Sequence, residues 1–383
     1  MKRTLTLLLL TFFTASTLSA QVRLPAIIGD NMVLQQRSHV ALWGWAAPGE
    51  SVAVSASWLK KPVQAVADEE GKWRVSLKTV KAGGPYTIRF QGSNTLEVSN
   101  VLLGEVWLAS GQSNMEFPVG KANGWRTGTV GYEQVIAEAN HPAIRMIDVK
   151  NTVADTEQTD FTGKWEICSP QTVGEFSAVA YFFAREIEQA KGYPVGIINS
   201  TWGGTPAESW TKKQVLENDP ELKPILERYE AQRRKNQSGQ KALNSKSPSV
   251  LYNGMIAPLI PYTLKGVIWY QGESNAGRGY QYRTLFPAMI NSWRQDWNDA
   301  RLPFYFVQIS PHRGQNPDIR EAQLFTYRTT PYTGIVVTTD NGDSLDIHPR
   351  NKELVGKRLS LWALHNEYGK RKLAVSGPLY RSM

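Results

Sequence analysis

The chain has 383 residues, 41% of them hydrophobic and 20% charged, with 31 glycines and 21 prolines. This composition excludes a disordered chain, a collagen repeat and a coiled coil, and the length favours two domains or one large domain with a smaller companion. The formal net charge is +9, and the positive excess lies in residues 227–249 and 350–383, which carry surpluses of four and six charges. Two separate basic segments are typical of solvated surfaces, so we predict no nucleic-acid partner.

Residues 1–20 have the pattern of a secretory signal peptide. A basic start is followed by an apolar run from Leu5 to Phe13 and by the small-residue site Leu18-Ser19-Ala20. The apolar run is shorter than a bilayer span, so we expect cleavage before Gln21 and no stable membrane insertion. The mature protein is therefore predicted to be periplasmic or secreted.

The cysteine and histidine residues argue against a metal site. Cys168 is the only cysteine, so the chain forms neither an internal disulfide nor a cysteine-based zinc site, and we expect this residue to be buried. The five histidines are scattered, without the close pairing that metal sites show. We predict no bound metal.

Residues 21–100 have the pattern of short strands separated by turns. Apolar and polar residues alternate over Ser51–Ala56 and Trp73–Leu77, and turn signals stand at Pro48-Gly49 and Gly83-Gly84-Pro85. No helical period is present. We predict a small N-terminal β-sandwich domain over residues 21–100.

Residues 101–372 have a different pattern, in which apolar strands alternate with amphipathic helices. The predicted strands are Val106–Ala109, Val195–Asn199, Gly266–Tyr270, Phe304–Ile309 and Gly334–Thr338. The predicted helices are Ala178–Ala190, Gln281–Trp297 and Asn351–Tyr368. This alternation predicts an α/β domain with a mostly parallel sheet covered by helices on both faces, and such folds bind ligands at the carboxyl ends of the strands.

Polar residues follow each predicted strand. Ser113, in Ser110-Gly111-Gln112-Ser113-Asn114, is placed to be a nucleophile, although a helix cap or turn also uses these residues. Gly203 and Gly204 follow the second strand and offer unobstructed N–H groups, or simply a turn. Gln271-Gly272-Glu273 follows the third strand as a cluster of amide and acid groups. A nucleophile and an oxyanion site at one edge of the sheet are therefore candidates.

His348 is the histidine best placed to be a base. Asp340, Asp343 and Asp346 precede it within eight residues and can orient its ring, although acid-rich turns are also common surface loops. His312 also follows a strand and is the second candidate base. The other three histidines are predicted to be structural or surface residues.

Several longer blocks together resemble one family. They are RLPAIIGDNMVLQQ, GEVWLASGQSNMEFPV, GIINSTWGGTPAESW, YNGMIAPLI, GVIWYQGESNA, PFYFVQIS and DIHPRNKELVGKRL. In this order and spacing they are similar to the sialate O-acetylesterase family, within the Ser-Gly-Asn-His esterases, over residues 21 to 380. The resemblance implies a flavodoxin-like three-layer esterase fold that needs no cofactor.

The resemblance also implies roles for the candidate residues. Ser113 is the implied nucleophile, and His348 is the general base and acid. The superfamily often has its acid three residues before the histidine, where this chain has a leucine. We favour Asp346 as the acid, with Glu273 and Asp343 as alternatives.

The implied oxyanion hole consists of backbone and side-chain donors. The Ser113 N–H, a glycine N–H of the Gly203–Gly204 pair and the Gln271 side chain are the implied donors. The usual asparagine is displaced in this chain, so Asn275 is an alternative amide. Each such donor is typically worth about 10²–10³ in rate.

We therefore expect an exported serine esterase that removes O-acetyl groups from a glycan, with acetylated sialic acid first and acetylated xylan second. A non-catalytic carbohydrate-binding protein on an esterase scaffold is the alternative of another class. Trp202, Trp210 and Trp269 follow or precede the site blocks and are candidates for stacking on sugar. Residues 373–383 resemble the start of a further segment that is cut short. The sequence carries no signal for an oligomeric state.

Overall fold

The computed structural model describes residues 21–235 and 243–378. The predicted signal peptide (1–20), part of the basic segment 227–249 and the last five residues of the chain lie outside the described residues. Across the two described ranges, no helix has both the length and the apolar character that a bilayer crossing requires.

The two described ranges contain thirteen strands and eight α-helices. The strands are β1 (Val33–Gln35), β2 (His39–Trp45), β3 (Ser51–Ala56), β4 (Val63–Val66), β5 (Lys72–Lys78), β6 (Gly83–Gln91), β7 (Thr95–Gly111), β8 (His141–Asp148), β9 (Trp165–Cys168), β10 (Val195–Thr201), β11 (Gly266–Tyr270), β12 (Phe304–Val307) and β13 (Thr333–Val336). The helices are α1 (Ser113–Glu116), α2 (Tyr132–Ala137), α3 (Ala178–Lys191), α4 (Lys213–Asn218), α5 (Lys223–Lys235), α6 (Gly279–Asp296), α7 (Asp318–Thr329) and α8 (Lys352–Asn366).

A mostly parallel sheet forms the centre of the molecule, in the order β13-β12-β11-β7-β10-β8-β9. Every pair in this path is parallel except β8 with β9, which is antiparallel. The predicted α/β class is confirmed, and all five predicted strands are present. Strands β8 and β9 and helix α7 were not predicted, because their sequences carry weaker periodicity than the fully apolar strands.

Helices pack on both faces of this sheet. Trp107 of β7 contacts Phe183 of α3, with ring centroids 5.0 Å apart. Trp269 of β11 projects from the opposite face, because it pairs with Ser110, three residues beyond Trp107, and side chains alternate along a strand. It contacts Phe286 and other aromatic residues of the α6 side. The central sheet therefore lies between two helical layers.

Helix α3 shows how local sequence sets an element's limits. The Ser177 side chain accepts a hydrogen bond from the Ala180 N–H, which caps the start of the helix. Gly192 ends it in the left-handed region, at φ 65°. The prediction of a helix from Ala178 with a stop at Gly192 is confirmed.

Strand β7 belongs to two β regions at once. Its first part pairs antiparallel with β6, from Thr95 to Leu103, and its second part pairs parallel with β10 from Glu105 onward. From Thr95 to Asn100 exposed residues alternate with partly or fully buried ones, and the strand is continuously buried from Val101 onward, as the two environments require. The boundary expected at residue 100 falls inside this strand. The division into domains stays a prediction.

Candidate active site

The site lies at the carboxyl ends of β7 and β10, on a turn that glycine makes possible. Gly111 ends β7 with φ 133°, and a Cβ there would lie 2.2 Å from the carbonyl oxygen of Tyr270 on the neighbouring strand. Only glycine fits so close an approach. The chain then enters the single-turn helix α1, whose first residue is Ser113. The tight turn therefore places Ser113 at the edge of the sheet.

Ser113 and His348 are in direct hydrogen-bond contact. The distance from Ser113 Oγ to His348 Nε2 is 2.9 Å, although the two residues are 235 positions apart in sequence. His348 lies in the loop between β13 and α8. A hydroxyl that donates to an imidazole is the arrangement of an activated serine nucleophile. His312, the second candidate base, instead accepts a hydrogen bond from the Gly314 N–H at Nδ1.

The pKa of His348 is lowered from its ordinary value. Burial is the main cause, since it disfavours the charged ring, and the positive charge of Lys352 lowers the pKa further. The negative charge of Asp346 opposes these two effects. The imidazole is therefore neutral at neutral pH, which is the form that can accept a proton from serine.

The three candidate acids have different relations to His348. Asp346 Oδ1 accepts the backbone N–H of His348 at 2.8 Å and lies 3.7 Å from Nδ1 of the ring. Asp343 is exposed and accepts the Leu345 N–H. Glu273 Oε1 accepts a hydrogen bond from Asn114 Nδ2 at 2.6 Å. Over residues 21–235 and 243–378, no group accepts a hydrogen bond from Nδ1, and Asp346 is the carboxylate nearest to it.

The candidate oxyanion donors separate into two groups. Gln271 Nε2 donates to Asn275 Oδ1 at 2.7 Å and to the Thr205 carbonyl, and Asn275 Nδ2 donates to Glu208 Oε2. Both amides are almost fully buried and are turned away from the cleft that contains Ser113. The structure therefore does not bring these two side chains to the nucleophile.

The backbone candidates lie beside Ser113. The Gly203 N–H donates to Glu116 Oε2, so this group is already bonded. Gly204 has φ 71° and lines the same cleft as Ser113. Neither the Gly204 N–H nor the Ser113 N–H donates to another group of the described residues. These two N–H groups are the candidates left for an oxyanion.

The cleft around Ser113 has a volume of about 500 Å³. Its remaining walls include Trp125, Arg126, Asn151 and Trp202. Of the three tryptophans considered for sugar stacking, Trp202 alone lines the cleft. The expectation for Trp210 and Trp269 was wrong, because both rings are completely buried in the helix–sheet core.

Several residues of the site were missed in the sequence. The Trp125 ring stacks on the His348 ring, with centroids 4.6 Å apart and planes inclined by 25°. Arg126 forms an ion pair with Glu116 at 2.6 Å. Burial raises the pKa of Glu116, and Arg126 opposes that shift. Glu116 belongs to the GQSNME segment, so the motif could have identified it as a site residue. The loop that contains Trp125 has no motif that points to the site.

Residues that can hold a metal do not meet in this site. Throughout the described ranges, no group of three or more His, Cys, Asp or Glu side chains has the arrangement of a metal site. Cys168 is buried, as expected, and burial raises the pKa of its thiol to about 12.

Comparisons with known proteins identify the family. A family model described as carbohydrate esterase, sialic acid-specific acetylesterase, matches residues 103–364. Sialate O-acetylesterase of Rattus norvegicus is 32% identical, over 93% of this chain and 76% of its own length. The Homo sapiens protein of that name is also 32% identical, over 93% of this chain and 73% of its own.

A solved structure agrees with this assignment. A carbohydrate acetylesterase from Xanthomonas citri has a TM-score of 0.82 to this chain at 39% identity, and the match covers 94% of this chain and 78% of that one. The resemblance found in the sequence motifs is thereby confirmed. The chain belongs to the sialic acid-specific acetylesterase family of carbohydrate esterases, and it is a carboxylic ester hydrolase that removes O-acetyl groups from carbohydrate.

Proposed function

We propose that this protein is a serine esterase that acts through an acetyl-enzyme on Ser113, and that its substrate is O-acetylated sialic acid. The observation that supports the mechanism is the 2.9 Å contact between Ser113 Oγ and His348 Nε2 at the carboxyl edge of the sheet. Nucleophile and base within hydrogen-bond reach are the signature of covalent acyl transfer.

The reaction has two halves. Ser113 Oγ bonds to the acetyl carbon while its proton passes to His348 Nε2, and the oxyanion that forms accepts hydrogen bonds from the Ser113 and Gly204 N–H groups. When the intermediate collapses, the ester C–O bond breaks and the sugar oxygen takes the proton from His348. Water then gives its proton to His348 and attacks the acetyl-enzyme, which releases acetate and restores the Ser113 hydroxyl. Asp346 is the acid that we favour for stabilising the protonated imidazole.

The choice of sialic acid has two supports. The family description and the relatives' names refer to sialic acid. The cleft also contains Arg126, whose side chain is 40% exposed and supplies a positive charge for an anionic sugar. Acetylated xylan or another neutral polysaccharide is the second candidate. It is supported by the carbohydrate acetylesterase from Xanthomonas citri, whose description specifies no sialic acid.

The protein's location follows from the N-terminal pattern. Residues 1–20 have the basic start, apolar run and small-residue site of a signal peptide, so we place the mature enzyme in the periplasm or outside the cell. Detection of the mature N-terminus Gln21 in the exported fraction tests this. An intact Met1 in the cytoplasmic fraction would contradict it.

The deciding experiment measures acetate release from O-acetylated sialic acid. The purified protein is compared with Ser113→Ala and with Ser76→Ala, a matched control on the exposed face of β5. We expect turnover by the parent and the control, and a loss of at least about 10³-fold in Ser113→Ala. Release from acetylated xylan alone would redirect the substrate assignment. Binding of glycan by a folded protein that releases no acetate would support the carbohydrate-binding alternative.

A further inference from the structure

A buried lysine bonds to the residue that follows Ser113, and the proposed reaction assigns it no step. Lys352, the first residue of α8, is 0% exposed. Its Nζ lies 4.8 Å from the centre of the Phe117 ring and 5.5 Å from that of Tyr270. Within the described ranges, no carboxylate lies within ion-pair distance of this ammonium group. Burying an ammonium group costs free energy unless strong polar contacts compensate it. The polar contacts of Lys352 therefore indicate what the residue does.

The polar contact of Lys352 is the side chain of Asn114, next to the nucleophile in sequence. Lys352 Nζ donates to Asn114 Oδ1. The amide nitrogen of Asn114 then donates twice, to Glu273 Oε1 at 2.6 Å and to the carbonyl oxygen of Ile347 at 3.0 Å. The acceptor and both donor hydrogens of this amide are thus engaged. We call Lys352, Asn114 and Glu273 the buried clamp.

The clamp holds the residue before the base. Ile347 immediately precedes His348 in a loop without regular structure, where Asp346 bonds to the His348 N–H and Trp125 stacks on the ring. Asn114 anchors the Ile347 carbonyl, and the next residue places Nε2 at 2.9 Å from Ser113 Oγ. Lys352 in turn fixes the orientation of the Asn114 amide, because an ammonium group can bind only its oxygen.

The clamp also acts on the charge of the base. Three titratable groups affect the pKa of His348, namely Lys352, Asp346 and His312. A fourth group, Glu273, interacts with Lys352. Burial lowers the pKa of Lys352 to about 7, with Glu273 and Asp346 opposing the shift. The positive charge of Lys352 therefore acts on His348 mainly on the acid side of neutral pH.

We propose that Lys352 is a positioning residue, which acts through Asn114 to hold His348 against Ser113. Its charge also acts on the imidazole, as described above. The proposal rests on the proposed function for the identity of the base. It assigns Glu273 to the anchoring of Asn114, because Glu273 Oε1 is bonded to that amide and not to the imidazole.

The first test compares Lys352→Met with Lys357→Met. Lys357 lies on the same helix, is half-exposed and pairs with Glu353, so its substitution controls for loss of a lysine from α8. Histidine ring signals are followed by NMR against pH, and His348→Gln identifies the His348 signal among the five histidines. We expect the pKa of His348 to rise by about half a unit or more in Lys352→Met and to stay constant in Lys357→Met. An unchanged pKa in a folded Lys352→Met protein overturns the electrostatic part of the proposal.

Because this titration requires no substrate, its result stands whether or not the protein releases acetate from any ester. A failure of the proposed function and a failure of the clamp are therefore distinguishable. In the same variants we expect kcat to fall by about 10- to 100-fold in Lys352→Met with little change in KM, since displacing a base by a fraction of an ångström has this effect. The acid limb of kcat/KM should move to higher pH.

A second variant covers the case in which Lys352→Met does not fold. The double change Asn114→Asp with Glu273→Gln keeps an oxygen for Lys352 and pairs the buried charge, and the amide introduced at position 273 can donate to the new carboxylate, but the donor to Ile347 is lost. Glu273→Gln alone is its control. We expect the double variant to fold and to lose kcat by at least about tenfold. Parental kcat in the folded double variant would overturn the positioning role.

Discussion

Glu116 and Gly203 are joined across the site by a hydrogen bond from the glycine N–H to Oε2, at 2.6 Å. A Cβ on Gly203 would lie 2.8 Å from that oxygen and 3.3 Å from Ser113 Cβ. The turn at Gly203 and Gly204 therefore packs closely against the nucleophile. The next residue, Gly204, carries the N–H that we assign to the oxyanion. Glu116 thus holds the turn that presents this donor.

Removal of the Glu116 side chain should therefore weaken oxyanion stabilisation. We expect Glu116→Ala to lower kcat by about tenfold or more, because a displaced oxyanion donor loses part of its 10²–10³ effect. Glu116→Gln retains an oxygen that can accept the Gly203 N–H and should lose much less. Steady-state kinetics with a neutral acetyl ester give the comparison. Equal losses in the two variants would contradict the role of the hydrogen bond.

The acid that supports His348 can be identified by single amide substitutions. Asp346→Asn should lower kcat by about 10²-fold, less than for a fully buried acid because Asp346 is half-exposed. Asp343→Asn should stay within about twofold of the parent, since among the described residues its carboxylate bonds to the Leu345 N–H alone. Glu273→Gln should cost little, because it keeps the acceptor for Asn114. Three equal small losses would exclude a serine–histidine–acid triad.

The pH dependence follows from the lowered pKa of His348. Because the neutral ring is the active form, the acid limb of kcat/KM should lie below pH 6.5, the ordinary value for histidine. Initial rates with a neutral acetyl ester between pH 4.5 and 8 measure it. A limb centred above pH 6.5 would contradict the burial of a neutral base.

The same shift affects stability. The unfolded chain binds the His348 proton more readily than the folded one, so the contribution to the free energy of unfolding is complete above pH 6.5 and is lost as the pH falls through the folded-state pKa. Denaturant titrations of the parent and His348→Gln, at several pH values, isolate this contribution. The difference between them should change with pH only below about 6.5.

Arg126 should influence the preference for anionic sugars. We expect Arg126→Gln to reduce kcat/KM for acetylated sialic acid about fivefold more than for a neutral acetyl ester, as a half-exposed charge pair allows. The substitution also removes the ion pair between Arg126 and Glu116, and the rate with the neutral ester measures the effect of that loss. Lys121→Gln, an exposed cation nearby in sequence, is the control. An equal fall for both esters would remove Arg126 from substrate recognition.

The Gln271 side chain should matter for stability more than for chemistry. Besides donating hydrogen bonds to Asn275 and Thr205, it accepts a hydrogen bond from the Tyr282 hydroxyl at 2.9 Å. Gln271→Leu removes these three hydrogen bonds between buried groups, which should lower the free energy of unfolding by about 1–3 kcal/mol. Denaturant unfolding measures this change. A stable variant with kcat reduced 10²-fold would restore the side chain as an oxyanion donor.

Sequence patterns alone were sufficient for the α/β class and the central strands, and the family resemblance identified Ser113 and His348 together as candidates, which the structure brings within 2.9 Å of each other. Fully apolar runs of five or so residues become buried parallel strands, and residues that follow such strands meet at one edge of the sheet. The motif blocks were specific enough to identify the family. These features depend on local composition and on the order of elements along the chain, and both can be read from the sequence.

Other features depended on the tertiary structure. Gln271 and Asn275 follow β11 as predicted, yet both amides are buried and bond to each other and to Glu208, and chain order does not encode the direction in which a side chain points. Lys352 would be assigned to the surface from its residue type, and only the packing of α8 against the nucleophile's turn buries it beside Asn114. Local sequence determines which elements form, whereas the environment of a charge is set by residues far away in the chain.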